Sequence, residues 1–497
     1  AGLSMACLIA YLDFAIVNTA LPEIQKDLGV SFVVLQWVMN VFVLALSIFM
    51  VNMGRFGDTF GRRPLLYIGL TLFGIASLFS GLAPGGYVLI VFRALQGLGV
   101  AMIIPSSLAL ISDTFPESER GRAIGIWTSA TGIGLALGPV VGGIITSSLG
   151  WRWVFFVNIP IVSIAAALCH GSVREVVRGG DKRIDWYGFF LMIAGIGSLV
   201  TAIIEGPEWG FGSPRTLSLF ALAAVCLVSL YLVEEKVSSP IIDFKLFEQR
   251  GFLSGAFANF TLVAFAYSAF FLMPLYLGNI LGKEAFEIGL LLLPITALII
   301  VVAPLAGWVV DSRGAKLPIL TGLTCLAVSA LIQSAYRPDS SLGYIVSGFI
   351  FMGLGWGSIF GSGAFAAISS LPKELAGTAT GALWTFQNLG GSIGLAFAGV
   401  IFRSRERASL ESGLTGEGIV LTPEQQEIIR SLLSDPENAR HILSQFTDAM
   451  SGRILPVFRN AFMEGYTGAF IFLLCLSAAA IILIALVMKD IRRVKSG

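Results

Sequence analysis

The sequence predicts an all-α polytopic membrane protein: fourteen transmembrane helices, set out as two six-helix bundles with two helices inserted between them. Three observations carry that prediction. The chain is too apolar and too sparsely charged for a soluble protein. It has fourteen apolar runs long enough to cross a bilayer. Its two halves repeat short motifs at matching spacing.

Of the 497 residues, 56% are hydrophobic and 13% charged, and the mean hydropathy is +0.84. Soluble domains carry about 25% charge. A net charge of +1 gives no reason to expect nucleic acid as a partner. The five cysteines (Cys7, Cys169, Cys226, Cys325, Cys475) lie in or beside apolar runs without metal-ligand spacing. They read as small packing residues, not a disulfide framework. The two histidines, His170 and His441, are far apart in sequence. No metal and no cofactor is therefore expected. The chain opens without Met inside a span, so a trimmed N-terminus and no cleavable leader are expected.

A crossing helix needs about 20 apolar residues. The first half supplies 2–22, 32–54, 64–83, 87–111, 122–146 and 153–170. The inserted pair is 185–205 and 215–233. The second half supplies 252–277, 286–310, 318–336, 342–367, 377–402 and 464–488. The expected domains are 1–170, an insert with its linkers at 171–251, and 252–497. If the N-terminus lies inside, nineteen Lys and Arg fall in inner segments. Five (Lys26, Arg152, Arg215, Lys283, Arg337) fall in short outer loops. That asymmetry places both termini in the cytoplasm. One outer segment, 403–463, is long. Thr422–Pro423 with Gln425, and Ser434 or Asp435 before Pro436, look like helix starts, so a small helical hairpin is expected there.

The repeat is explicit. "GRFGDTFGRRPL" at 54–65 matches "GWVVDSRGAKLP" at 307–318 through Gly54, Asp58 and Gly61 against Gly307, Asp311 and Gly314. "PESERGRAIG" at 116–125 matches "PKELAGTATG" at 372–381. Parallel repeats of this kind suit transporters that rock two bundles around a central site.

Polar residues inside the spans are the candidate functional groups. A carboxylate at the centre of a span costs about 2.5–3.5 kcal/mol on insertion scales, so it marks an ion pathway. Asp13 lies roughly 13 Å and Arg93 roughly 9 Å below the outer surface at 1.5 Å per residue, close enough in depth to pair. Asp13 is expected to face a wet central cavity. Glu205, ending the first inserted span, is the other candidate carboxylate. Amides and aromatics in spans are candidates for the substrate cavity: Trp37, Asn40, Gln96, Asn259, Tyr267, Trp384, Gln387 and Asn388. Each has an alternative as an ordinary interhelical hydrogen-bonder. Gly134, Gly138 and Gly142 fall on one face of a span, and Pro139 removes a backbone donor there, which permits a bend. No GxxxxGK[ST] and no HExxH is present, so neither an ATP-driven pump nor an enzyme is expected.

These residues resemble the major facilitator superfamily, in particular its fourteen-span drug:proton antiporter branch. "LDFAIVNTALP" (12–22), "GRFGDTFGRRPLL" (54–66), "RALQGLGVA" (93–101), "GIGLALGPVVGG" (132–143), "WRWVFFVNIPI" (151–161) and "SSPIIDFKLFEQRGF" (238–252) carry the resemblance along essentially the whole chain. It implies the major facilitator fold. It implies proton-coupled export of drugs or other amphipathic or cationic small molecules from the cell membrane, by a monomer. Asp13 would be the acidic span-1 residue, and Arg93 would serve proton coupling. Asp58 and Arg62, with Gly54 and Gly61, would form an inner latch. Gly134, Gly138, Pro139 and Gly142 would form the hinge. Ala315 and Lys316 stand where a second latch would have paired arginines. The alternatives are a selective exporter or uniporter of one metabolite, lipid or siderophore, and a receptor or scaffold acting through 403–463.

Overall fold

The computed structural model describes residues 2–115, 117–172, 185–235, 237, 243–372, 375–416 and 448–488. Some side chains within these helices, that of Asp58 among them, lie outside the described set. Among the described residues, fourteen helices are long and apolar enough to cross a membrane.

The first bundle holds α1 (Gly2–Leu28), α2 (Phe32–Phe60), α3 (Arg62–Gly81), α4 (Gly86–Thr114), α5 (Glu117–Leu149), the single turn α6 (Trp153–Phe156) and α7 (Asn158–Ser172). The insert is α8 (Trp186–Trp209) and α9 (Pro214–Glu234). The second bundle holds α10 (Arg250–Leu275, continued by a π turn over Tyr276–Ile280), α11 (Ala285–Arg313), α12 (Lys316–Ser334), α13 (Leu342–Ser369), α14 (Ala376–Gly416) and α15 (Asp448–Val487). Within the bundles α1 packs on α5, α2 on α4, α10 on α14 and α11 on α13. The bundles meet where α5 touches α11 and α2 touches α14.

Short polar caps set the helix starts. The Ser31 hydroxyl accepts from the Val34 amide at 3.4 Å, and Asp185 accepts from the Gly188 amide at 2.9 Å. Ser213 accepts from Thr216 at 3.3 Å, with Pro214 at the first position of α9. Each cap satisfies an amide that the first helical turn leaves without a partner.

The sequence repeat is a structural repeat. Gly61 ends α2 at φ +103° and Gly314 ends α11 at φ +89°, and each donates its amide to the carbonyl four residues back at 3.0 Å. Two residues on, Arg63 donates to the His170 carbonyl of α7 at 3.1 Å. Its counterpart Lys316 donates to the Ala485 and Met488 carbonyls at the end of α15, at 3.0 and 2.8 Å. In both halves a cation therefore caps the negative end of the bundle's last helix. Lys316 is spent on that cap.

Residues 403–416 and 448–463, the described parts of the long outer segment, extend α14 and α15 as continuous helices. The extensions pack on one another, with Phe402 edge-on to Phe462 at 5.0 Å and Leu410 and Leu414 buried. The helix starts expected at Thr422 and Ser434 lie outside the described residues.

Gly61→Ala forces a side chain onto backbone angles that glycine alone adopts easily, at a cost of about 1–3 kcal/mol. A lower thermal unfolding midpoint in detergent is expected, and an unchanged midpoint would show that the α2–α3 turn relaxes freely.

Candidate functional site: a buried ion pair beside an aromatic cleft

Asp13 sits in the middle of α1, with α3, α4 and α7 packed around it. Its side chain and that of Arg93 are both fully buried, and Arg93 Nη1 lies 2.6 Å from Asp13 Oδ2. Asp13 Oδ1 accepts from Asn158 Nδ2 at 2.7 Å and from Gln96 Nε2 at 3.2 Å. Ser77 ties the cage together. Its hydroxyl accepts from Asn158 and Gln96 at 2.9 and 3.2 Å and donates to the Phe155 carbonyl at 2.8 Å. Arg93 also donates to Gln96 Oε1 at 3.1 Å and, through Nε, to the Val38 carbonyl at 3.3 Å. Its guanidinium lies 4.2 Å from the Phe42 ring centroid, a cation–π contact. Arg93 Nη2 has no hydrogen-bond partner among the described residues.

This arrangement corrects one expectation. Asp13 does not face a wet cavity here, because four polar side chains and the packed bundle enclose it. Two charges taken out of water are tolerated only when geometry and further hydrogen bonds compensate both. Gln96 joins this cage instead of a substrate cavity.

A narrow cleft, with room for about one water molecule in the described state, lies next to the cage. Ala10, Tyr11 and Phe14 of α1 line it with Phe42 and Leu46 of α2, Val100 and Ile104 of α4, and Tyr267 of α10. Phe14 packs against Tyr267 across the two bundles, with ring centroids 4.4 Å apart. The Tyr267 hydroxyl donates to Asn388 Oδ1 at 3.3 Å, and Asn388 Nδ2 donates to the Trp384 carbonyl at 2.8 Å. Of the residues expected in the cavity, Tyr267 lines this cleft, with Asn388 and Trp384 behind it. Gln387 is buried on the same helix. Asn259 is fully buried, its amide atoms have no hydrogen-bond partner among the described residues, and it faces Gly363 of α13.

Trp37 and Asn40 lie elsewhere, on the seam between the bundles. Asn40 donates to the Ser392 carbonyl at 2.9 Å and accepts from the Ser392 hydroxyl. One turn earlier, Gln36 donates to the Leu395 carbonyl at 2.9 Å. Asn279 donates to Gln25 at 3.2 Å, and Phe32 stacks on Phe402 at 4.6 Å. These cross-bundle contacts cluster in the half of the molecule away from the N-terminus.

The insert lies over the same seam. Trp37 Nε1 donates to Glu205 of α8 at 2.7 Å. Arg403 of α14 donates to the Ile204 carbonyl of α8. So α8 is tied to both bundles at once. Arg403 and its neighbour Glu406 are both buried. Sequence reasoning missed them because they lie past the end assigned to that span.

A profile of the Major Facilitator Superfamily matches residues 3–395. The chain belongs to that superfamily. Among its relatives is the multidrug resistance protein Stp of Mycobacterium tuberculosis, 35% identical over 432 residues, which cover 86% of this chain and 80% of Stp. The tetracenomycin C resistance and export protein of Streptomyces glaucescens is 34% identical over 407 residues, 81% of this chain and 75% of that protein. The multidrug transporter MdtP of Bacillus subtilis is 29% identical over 488 residues, 94% and 88%. The fold matches a bacterial homologue of the human lysosomal transporter Spinster, solved in an inward-facing, unoccupied conformation. The TM-score is 0.69 at 16% identity, over 100% of this chain and 98% of that one. This major facilitator protein is thus a multi-pass membrane transporter of the drug-efflux branch, not an enzyme.

Two further superfamily elements can be placed. Arg62 pairs with Asp113 at the end of α4, Nη1 to Oδ2 at 2.6 Å, and Asp113 was not a sequence candidate. The Asp58 side chain lies outside the described residues, and Gly54 faces Pro105 of α4. Gly134, Gly138 and Gly142 turn toward α1. A Cβ on Gly134 would lie 2.6 Å from the Leu8 carbonyl oxygen, and one on Gly142 would lie 2.9 Å from that of Ile16. The Pro139 backbone faces Gly289 of α11 across the bundles. α5 runs unbroken through Pro139.

Asn158→Ala removes a donor from a buried carboxylate, worth about 1.5–3 kcal/mol for a bond to a charged group. Arg93→Ala strands Asp13 and is expected to cost about 3–5 kcal/mol. Asp13→Asn combined with Arg93→Gln is expected to recover a large part of that loss. A thermal unfolding series with a double-mutant cycle checks all three, and additive losses would mean that the pair is not coupled.

Proposed function

We propose that this protein is a proton-coupled exporter of amphipathic small molecules, working by alternating access. In this reading both termini lie in the cytoplasm. The observation that carries the reading is a buried Asp13–Arg93 ion pair that adjoins a narrow aromatic cleft between two bundles. The Lys and Arg asymmetry supports the orientation. The printed names of the relatives at 34–35% identity support drug export.

In the described state the outer seam is closed and Asp13 is paired with Arg93. This is the proton-free form that receives substrate from the cytoplasm or inner leaflet. Substrate in the cleft touches Phe14, next to Asp13 in sequence, and Phe42, which carries the Arg93 guanidinium. When the bundles rock, α2 parts from α14 at Gln36, Asn40 and Ser392, and the outer side reaches the cage. Protonation neutralises Asp13 and frees Arg93, which reshapes the Phe42 wall and releases substrate. Return to the inward state restores the pair as the proton leaves. Glu205 acts in the same cycle at the seam: α8 cannot stay tied to both Trp37 and Arg403 once α2 and α14 separate. Arg62 and Asp113 hold α3 to α4 on the inner side, and the small face of α5 lets α1 and α11 move against it.

Reconstituted in vesicles with a trapped pH dye, the wild type is expected to move protons when substrate is added under a pH gradient. Asp13→Asn is expected to fall to the protein-free baseline. Full proton-coupled export by that variant would reject the assignment. At the seam, Gln36→Ala is expected to raise labelling of a cysteine placed at Ser392 by an impermeant thiol reagent added outside. Equal labelling would remove Gln36 from the gate.

A further inference from the structure

We infer that Glu406 is a proton site that times the outer gate, through a clamp that Arg403 makes between the second bundle and the insert. With a proton on Glu406, Arg403 holds α8. When that proton leaves for the outer water, Arg403 turns to Glu406 and lets α8 go. The inference takes the direction of the outer side from the transport reading above and rests on it.

Two unused groups lie one turn apart. Residues three apart on a helix are neighbours, with Cβ atoms about 5–6 Å apart, so Arg403 and Glu406 of α14 are within reach of a salt bridge. They do not form one. Both are more than nine-tenths buried, with 8% of Arg403 and 7% of Glu406 exposed. Arg403 turns to the next helix and donates through Nη2 to the Ile204 carbonyl of α8. Its Nε and Nη1 have no hydrogen-bond partner among the described residues. The Glu406 carboxyl makes no hydrogen bond or ion pair among them either.

An ionised Glu406 does not fit this arrangement. A carboxylate is a stronger acceptor for a guanidinium than a neutral carbonyl is, and a buried charge without a partner is strongly destabilising. Burial instead favours the neutral acid, which has no hold on Arg403. The described surroundings offer Glu406 no other cation. On its own helix Arg405 and Arg407 are exposed, and Arg407 pairs with Glu411 at 3.1 Å. From α15, Gly465 lies against the Glu406 stem, while Arg459 and Glu464 are exposed. The outer half of α2, α10 beyond Arg250, and α13 carry no charged residue. From α8, Glu205 and Glu208 act on Arg403, and Glu205 is already held by Trp37 at 2.7 Å.

The clamp then follows the proton. In the closed state neutral Glu406 leaves Arg403 on α8, and α8 spans the seam between α2 and α14. When α2 and α14 part, outer water reaches Glu406 and takes its proton. The carboxylate pairs with Arg403, the bond to Ile204 breaks, and α8 stays with α2 through Trp37 and Glu205. A proton from outside reverses each step and closes the seam. It returns to the side it came from, so it times the gate and adds nothing to the coupled flux.

Infrared difference spectra of the purified protein, taken as the pH is raised from mildly acidic to alkaline, read the C=O stretch of a protonated carboxyl. The wild type is expected to show such a band and to lose it on alkalisation. Glu406→Gln is expected to lack it, and Asp13→Asn to keep it. The gate is read by labelling a cysteine placed at Ser392 with an impermeant thiol reagent from outside, each rate divided by that of the unfolded protein at the same pH. Labelling is expected to rise about tenfold with pH in the wild type, the scale of one hydrogen bond from a charged group. It is expected to stay low in Glu406→Gln and high in Arg403→Gln, at every pH. If Glu406→Gln does not fold, Glu406→Leu makes the same test. The inference is overturned if neither neutral variant removes the band, or if the wild type and the neutral variant are labelled alike across the range. The expected band and labelling in a protein that moves no protons with any substrate leave it standing and sink the transport reading instead.

Discussion

Two opposite charges without water, Asp13 and Arg93, impose the constraint that organises the first bundle. Neither is tolerable there alone. Keeping them together requires α1 and α4 in register, α7 close enough to bring Asn158, and α3 close enough to bring Ser77. The hydrogen bonds of the cage therefore cross-link four helices. A change in the charge of Asp13 cannot stay local, since α4 and α7 bond it directly and α3 holds those partners through Ser77.

The duplication makes the placement of charge more telling. At the offset set by Gly61 and Gly314, Ser80 of α3 corresponds to Gln333 of α12. In the second bundle Gln333 donates to Ser329 at 3.0 Å and accepts from Tyr466 at 3.1 Å. Tyr276 and Tyr336 stack beside this group. The equivalent region is thus a neutral tyrosine and amide network. Its helices α10, beyond Arg250, and α13 carry no charged residue. One scaffold, used twice, holds an ion pair in one copy and an uncharged tyrosine and amide network at the equivalent place in the other.

Much of this was legible in the sequence, and the limits have physical causes. Span number and the repeat were readable because apolar length and glycine turn positions are local properties. The pairing of Asp13 with Arg93 was readable because charges in hydrocarbon must find each other. Asn158 was missed although it lies within an apolar run, since one amide there is equally at home bonding its own backbone. Asp113 was missed because a span end is an ordinary place for a carboxylate. Trp37 and Asn40 were taken for cavity residues because sequence depth cannot tell which face of a helix meets the other bundle. The cleft itself is made of common apolar residues, and only three-dimensional packing distinguishes Tyr11 or Phe42 from any other core side chain.

The joined extensions of α14 and α15 carry a mechanical consequence. A helix of 41 residues is about 60 Å long at 1.5 Å per residue, twice the roughly 30 Å hydrocarbon core. Both rods belong to the second bundle and brace each other, so they turn with it as one body. They act as a pointer fixed to a rotor. A 15° tilt of the bundle, the scale of rigid-body rotation in allosteric assemblies, would sweep the tip of α14 by about 5 Å over the roughly 21 Å that residues 403–416 add beyond the expected span. Any tilt of the second bundle would thus be carried out of the lipid, amplified, into water where a partner or a probe can reach it.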